Sequence, residues 1–313
     1  MVLDNLEDPK LIKEYLPSNH QGHVLITTQQ HDLGVIAKTI TLDKMDSNTG
    51  SLFLLKRIEL LSENDSLDKA DPNDLSVAQE IVKEMDGLPL ALDQAGAYIR
   101  QTQSRLQEYL DLYKNAKHAA KLRDKRGKHT DDHISVTATF QLAFNKVKQK
   151  NSTATKVLEV CSFLDPNLIP EEIFTHTQTN NFLNDGLAAL VDDPFLWPEV
   201  LEALSDYFLV KRDTSNKSLS IYLLVQSVIR DLLTEDNKKL LVDSLAKALD
   251  SLSNDDAEDP NNWPTYQRLL PSVTSLFNFT KFYQSNVIEA AYLFHPFGIY
   301  CYKQALFPQS LDF

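Results

Sequence analysis

The sequence predicts a mainly α-helical chain that opens with a partial parallel α/β segment. Three observations carry that expectation. Near the N-terminus, Met1-Val2-Leu3-Asp4, His23 to Thr28 and Lys38 to Leu42 are short strand-like runs. They alternate with two short helical stretches, Leu11 to Leu16 and Asp32 to Ala37, in the order of a parallel sheet. From Asp46 onward apolar residues recur at helical spacing. The exception is a pair of strand-like runs, Tyr207 to Arg212 and Leu219 to Leu223, on either side of Asp213-Thr214-Ser215-Asn216-Lys217, which has turn chemistry.

Taken in order, the first strand is too short. Buried parallel strands are continuous apolar runs of about five or six residues, so Val2-Leu3-Asp4 reads as the end of one, and residues 1–45 are expected to be the remnant of a larger α/β domain. Residues 46–115 form a helical unit. Leu52, Leu55, Ile58 and Leu61 make one apolar stripe, and Ala78, Ile81, Val82 and Met85 the next. Gly87 suits a helix C-terminus, and Pro89 then opens a helix whose apolar face is Leu92, Ala95, Tyr98 and Ile99. Ser104 is an N-cap candidate for a helix from Leu106 to Tyr113. Residues 116–135, rich in Lys and Arg, read as a solvated linker. Residues 136–238 combine helices at Val136–Val147 and Thr153–Phe163 with the hairpin and a closing helix, Val225–Leu233, which is a winged-helix pattern. Residues 239–313 read as antiparallel helices at the start of an α-helical repeat, with a C-terminus that looks cut short.

Composition excludes several function classes. The 313 residues are 42% hydrophobic and 24% charged, which is globular rather than disordered or collagen-like. With 31 Lys and Arg against 44 Asp and Glu, the net charge of −13 repels phosphate backbones and argues against nucleic-acid binding. Cys161 and Cys301 are too few and too distant for a disulfide framework. No apolar run reaches membrane-spanning length and no secretory signal is visible, so a cytoplasmic protein is expected. Glycine is the most informative residue. There are eight, and no two are separated by five positions or by two, so neither a P-loop nor a dinucleotide fingerprint is present. Arg126-Gly127-Lys128-His129-Thr130 resembles a P-loop end, but Leu122 stands where the first glycine is required. His129 and His133 lack the glutamate of a metalloprotease helix. Cys161, on an apolar face, reads as a core thiol.

Four motifs occur in a recognisable order: Val2-Leu3-Asp4-Asn5, Leu25-Ile26-Thr27-Thr28, Gly87-Leu88-Pro89-Leu90-Ala91 and Ile221-Tyr222-Leu223-Leu224-Val225-Gln226. Their order and spacing resemble the NB-ARC family of STAND signalling proteins, which are related to P-loop NTPases, in the form that carries tetratricopeptide (TPR) repeats after the switch module. In that resemblance the motifs match the end of a Walker B strand, the strand before the sensor arginine, the Gly-Leu-Pro-Leu motif and the Met-His-Asp motif. Residues 1–45 would then be a remnant of the nucleotide-binding domain, in a chain lacking its upstream P-loop.

The resemblance implies ADP or ATP with Mg²⁺ as cofactor, with little bound tightly by this chain alone. Asp4 would act on Mg²⁺ through the nucleotide, given a P-loop. Thr28 and Gln29 would face the phosphates, Pro89 the adenine, and Tyr222 the ADP β-phosphate. Gln29 replaces the family's arginine and Tyr222 its histidine, so both departures remove a cationic or imidazole contact. With the phosphate cradle missing as well, catalytic turnover is not expected. Partners would be proteins bound through the helical repeats, together with self-association, and no membrane or nucleic acid. A second reading is a helical adaptor that binds other proteins without nucleotide.

Overall fold

The computed structural model describes the chain except residues 4, 5, 7–21, 29–36, 39, 41, 124–130, 178, 180, 181, 184–186, 188, 191, 192, 194, 254, 255, 284–286 and 307–313. It forms two compact units, Met1–Lys44 and Met45–Phe313. The fold is mainly helical, with a small parallel two-stranded sheet near the N-terminus and few other strands.

In the first unit β1 (Val2–Leu3) pairs in parallel with β2 (Leu25–Ile26), Val2 opposite Leu25 and Leu3 opposite Ile26. Thr27 N donates to Leu3 O at 2.9 Å and Leu6 N donates to Thr27 O at 2.9 Å, extending the pairing past the strands. Of the expected third strand, the described residues Lys38, Ile40 and Leu42 lie outside any strand, and Ile40 and Leu42 are exposed. β-branched residues favour a strand only where a neighbouring edge and a buried face receive them. Asp4, Gln29, the expected helix 11–16 and most of 32–37 lie outside the described residues.

The second unit begins with α1 (Ser47–Arg57) and α2 (Pro72–Glu84). Asp46 caps α1 by accepting from Asn48 N and Thr49 N, and Asp71 caps α2 in the same way. The expected Ala78, Ile81, Val82 and Met85 stripe is buried. Gly87 follows with φ of +64°, and a Cβ there would lie 2.1 Å from Met45 O. No other residue type combines that left-handed backbone with so close an approach. The turn lets α3 (Pro89–Thr102) start on Pro89.

Next comes α4 (Leu106–Arg123), which runs well past Tyr113 into the segment read as a linker. Its Ala and Lys residues are good helix formers, and Ala120 is buried. Ser104 is not its cap. The Ser104 hydroxyl meets that of Thr102, and the Glu108 carboxylate instead accepts from Arg105 N at 3.2 Å. Then α5 (Asp131–Lys150) packs on both α3 and α4.

After α6 (Ser152–Cys161) come β3 (Ile169–Pro170), α7 (Glu172–Thr175), α8 (Leu196–Asp206), β4 (Lys211–Asp213), β5 (Ser218–Ser220) and α9 (Leu223–Leu232). The strands form one antiparallel sheet in the order β3-β5-β4. Two expectations are corrected here. Tyr207 to Leu209 is not strand: Tyr207 caps α8, Phe208 has φ of +51°, and Leu209 N closes back on Leu204 O at 3.2 Å. Leu223 belongs to α9 rather than β5. The strand β3 was not anticipated.

Three helices complete the chain: α10 (Glu235–Leu252), α11 (Trp263–Tyr283) and α12 (Val287–Lys303), each packed on the other two. Tyr266 is central, its hydroxyl donating to Ser253 O at 2.8 Å and its ring lying 4.9 Å from that of Phe297. Side chains such as Met85, Tyr109, Phe140, Phe163 and Phe174 are fully buried along the second unit, each contributing about 1.5–3 kcal/mol by leaving water. Among the described residues no helix is long and apolar enough to cross a membrane.

Candidate functional site

A cleft of about 640 Å³ lies where α3 faces the β4–β5 hairpin. Asp93 lines it from α3, Asn167 from the loop after α6, Phe208 from the turn after α8, Lys211 from β4 and Tyr222 from the head of α9. A larger hollow of about 820 Å³, at the ends of α1 to α4, holds no residue of the four motifs.

Each wall has a local cause. Pro89 is the exposed first residue of α3, and Asp93 follows four positions later on the same helix face. On the opposite wall Asp165 folds its loop by accepting from Asn167 N at 2.9 Å and Leu168 N at 3.0 Å. Ile221 N then donates to Pro166 O at 2.8 Å, which fixes the approach to Tyr222. Tyr222 takes the N-cap position of α9 with an extended backbone and an exposed ring. Of the expected site residues Tyr222 lines the cleft, whereas Pro89 does not: α3 reaches it through Asp93, one turn further on. Thr28 lies in the first unit, where its hydroxyl donates to Leu6 O at 2.6 Å. Asp4 and Gln29 lie outside the described residues.

Sequence reasoning missed the contacts that close the cleft's α3 side. Arg57 Nε donates to Asp93 Oδ1 at 2.7 Å, and its guanidinium carbon lies 4.3 Å from the centre of the Phe208 ring. Gly96 makes room for Arg57, since a Cβ there would sit 2.4 Å from Arg57 Cγ. Gln94, which is buried, donates from Nε2 to Phe208 O at 2.9 Å, while its Oε1 has no hydrogen-bond partner. The only sequence signal for this closure was Gly96 on a helix that otherwise reads as apolar and strong.

Behind the hairpin wall, buried Glu171 accepts from Arg212 Nε at 2.6 Å, Arg212 Nη2 at 2.9 Å and Trp197 Nε1 at 3.0 Å. Burial pushes its carboxyl up, but the bonds from Arg212 and Trp197 outweigh that and leave it below the ordinary glutamate value. At the hairpin tip Asp213 accepts from the Ser215 hydroxyl and from Ser215 N, Asn216 N and Asn216 Nδ2, and these bonds lower it to about 2. Cys161 is buried, and burial raises its thiol far above the ordinary range, so it is an inert core group. Among the described residues no group of three or more His, Cys, Asp or Glu could hold a metal ion. The cleft lining supplies a phenol, an amide, a carboxylate and an amine, which are groups that bind and orient.

Two comparisons bear on these residues. A family model described as a domain of unknown function, DUF7779, matches residues 143–238, from within α5 to the start of α10. A nucleotide-binding leucine-rich repeat (NLR)-like protein from the fungus Hyaloscypha variabilis is 24% identical over 170 residues. The alignment covers 51% of this chain and 16% of that relative's length. The chain is therefore similar, at a distance and over about half its length, to an NLR-like protein.

Proposed function

We propose that this chain is the helical and winged-helix part of a nucleotide-dependent signalling switch of the NB-ARC and STAND type, with ADP or ATP and Mg²⁺ as the switch ligand. The observation that carries the reading is the shared cleft. The helix that starts on Pro89 contributes Asp93 to its lining, and the Tyr222 position of the Met-His-Asp motif lines it as well. The similarity to an NLR-like protein supports the same assignment. In this reading α5 to α9 with the β3-β5-β4 sheet is the winged-helix unit, and the helices after residue 238 are repeat-like and engage other proteins.

The same reading makes nucleotide affinity low. This sequence has no P-loop, so backbone donors, Lys and Ser/Thr are all missing from the polyphosphate site. A switch ligand must bind its two states unequally, and this chain supplies only the adenine side and the hairpin side. Turnover of ATP by the chain alone is not expected.

The test is titration of the chain with ADP and Mg²⁺, followed by calorimetry and by backbone amide NMR. Calorimetry should show no micromolar binding. At millimolar ADP, amide shifts should cluster at Leu90, Asp93 and Tyr222, beside Pro89, which has no amide proton, and Tyr222→His should enlarge them. Micromolar binding would overturn the low affinity, and shifts elsewhere or none would overturn the assignment.

A further inference from the structure

We infer that the consecutive carboxylates Glu171 and Glu172 form a strap through which the C-terminal helices set the position of the β4–β5 hairpin, and with it one wall of the cleft. Glu171 stands at the head of α7 and turns inward to Arg212 and Trp197, as described above. Glu172, the next residue, turns to α11. There it receives Arg268 through both Nε and Nη2, the latter at 2.9 Å. The same Nη2 lies 2.9 Å from Lys217 O in the hairpin turn, and Glu171 N donates to that carbonyl at 3.0 Å. Lys217 is itself in the left-handed region, with φ of +46°. One peptide of the hairpin is thus pinned by α7 and by α11 together.

The geometry makes this a mechanical link rather than a loose attraction. A guanidinium that engages both carboxylate oxygens fixes direction as well as distance, because its donors are coplanar. Both forks end on adjacent residues of one backbone, and β3, immediately before them, pairs with β5. Ser272 Oγ of α11 adds a contact to Leu168 O at 3.4 Å, just ahead of β3. A displacement of α11 therefore moves Glu172, Lys217 and the paired strands together. The hairpin carries Lys211, Arg212 and Ser220 into the cleft lining. A protein that binds the C-terminal helices and shifts α11 would reshape that wall. The inference makes no use of nucleotide, so it stands or falls separately from the function proposed above.

Coupling between two regions is established by measuring it, not by tracing contacts. The whole chain is prepared as Glu172→Gln, Arg268→Gln and the double variant, each also in a Trp263→Phe background so that Trp197 is the sole indole. Hydrogen exchange is followed at β4, β5, α11 and, as an internal reference, α5. Each single variant should exchange its hairpin amides roughly tenfold faster, with α5 unchanged and Trp197 more open to acrylamide quenching. The double variant should exchange the hairpin no faster than Arg268→Gln alone, because that change already removes the Glu172 link together with the contact to Lys217 O. Acceleration confined to α11, with the hairpin and Trp197 unchanged, overturns the inference. So does additive behaviour in the double variant, or equal acceleration in α5, the mark of global destabilisation.

Discussion

The hairpin region is held from two sides, and the two sides use charge differently. Toward α1 and α3 the polar contacts are single points: one Arg57 nitrogen on Asp93, one Gln94 amide on Phe208 O, and the Arg57 plane over the Phe208 ring. Toward α7 and α11 they are forks, Arg212 on Glu171 and Arg268 on Glu172, joined at Lys217 O. Exposure does not separate the Arg57–Asp93 pair from the Arg268–Glu172 fork. The Arg57 and Asp93 side chains are 17% and 30% exposed, and those of Arg268 and Glu172 are 29% and 34%. The difference is geometric. A fork resists rotation, whereas a single contact permits it, and on the α3 side an unpaired buried Gln94 oxygen and the left-handed Phe208 are retained as well. Both features cost stability, so the α3 side is the one expected to yield first.

The largest effect should come from breaking the α3 side at its root. Gly87→Ala places an L-residue in the left-handed region, at about 1–2 kcal/mol, and its Cβ meets Met45 O, so the total loss should exceed about 2 kcal/mol. Urea unfolding measures it, and a loss near zero would mean that the turn is adaptable. On the fork side Glu171→Gln keeps the shape but leaves Arg212 without its counter-charge. Removing one partner of a fully buried pair costs about 3–5 kcal/mol, and because the Arg212 side chain is 37% exposed the loss here should be nearer 2 kcal/mol. Asp93→Asn should cost about 1 kcal/mol, at the upper end of what single-contact surface pairs contribute, because this pair is only partly buried. The comparison fails if the last two values are reversed.

Phe208 offers a sharper probe of the same side. Phe208→Gly relieves a left-handed backbone worth about 1–2 kcal/mol but removes the stacking of Arg57, about 0.5–1 kcal/mol, and some apolar contact. The net change in stability should lie within about 1 kcal/mol of zero, while exchange of the α3 amides around Gln94 should quicken. If those amides stay protected, the Phe208 contact does not hold α3.

These contrasts also mark where sequence reasoning reached and where it stopped. Gly87-Leu88-Pro89 was legible because a left-handed turn followed by a helix start needs those residue types. The Asp213 to Lys217 turn was legible for a similar local reason. The strand β3 was not, since Ile169–Pro170 is too short to carry a pattern and exists only by pairing with β5. Tyr207 to Leu209 looked like strand because its apolar, aromatic run has no local sign of the left-handed Phe208. The forks were invisible for a plainer reason: Arg212 lies 41 residues from Glu171 and Arg268 lies 96 from Glu172. Charges that distant have no spacing to read. Of the cleft lining only the stretch of the Ile221-Tyr222 motif had been singled out in the sequence as part of a site, and neither Asp93 nor the contacts that close the α3 side had been.

The smallest effect expected concerns acid. Asp213 is held at about 2 against an ordinary value of 3.8 by bonds from Ser215 and Asn216. A carboxylate whose folded value is depressed stabilises the fold above its unfolded value, and that contribution is lost as pH falls through the folded one. The hairpin turn should therefore keep its full contribution above about pH 4 and surrender it between 4 and 2. Because Asp213 is fully exposed at the tip, the loss should be local: faster exchange at Ser215 and Asn216, with α9 and the strap to α11 unaffected. Asp213→Asn should remove that pH dependence and leave the forks in place. If acid instead loosens the hairpin and α11 together at the same pH, the tip is not independent of the strap, and the division between a rigid side and a yielding side would have to be redrawn around the turn itself.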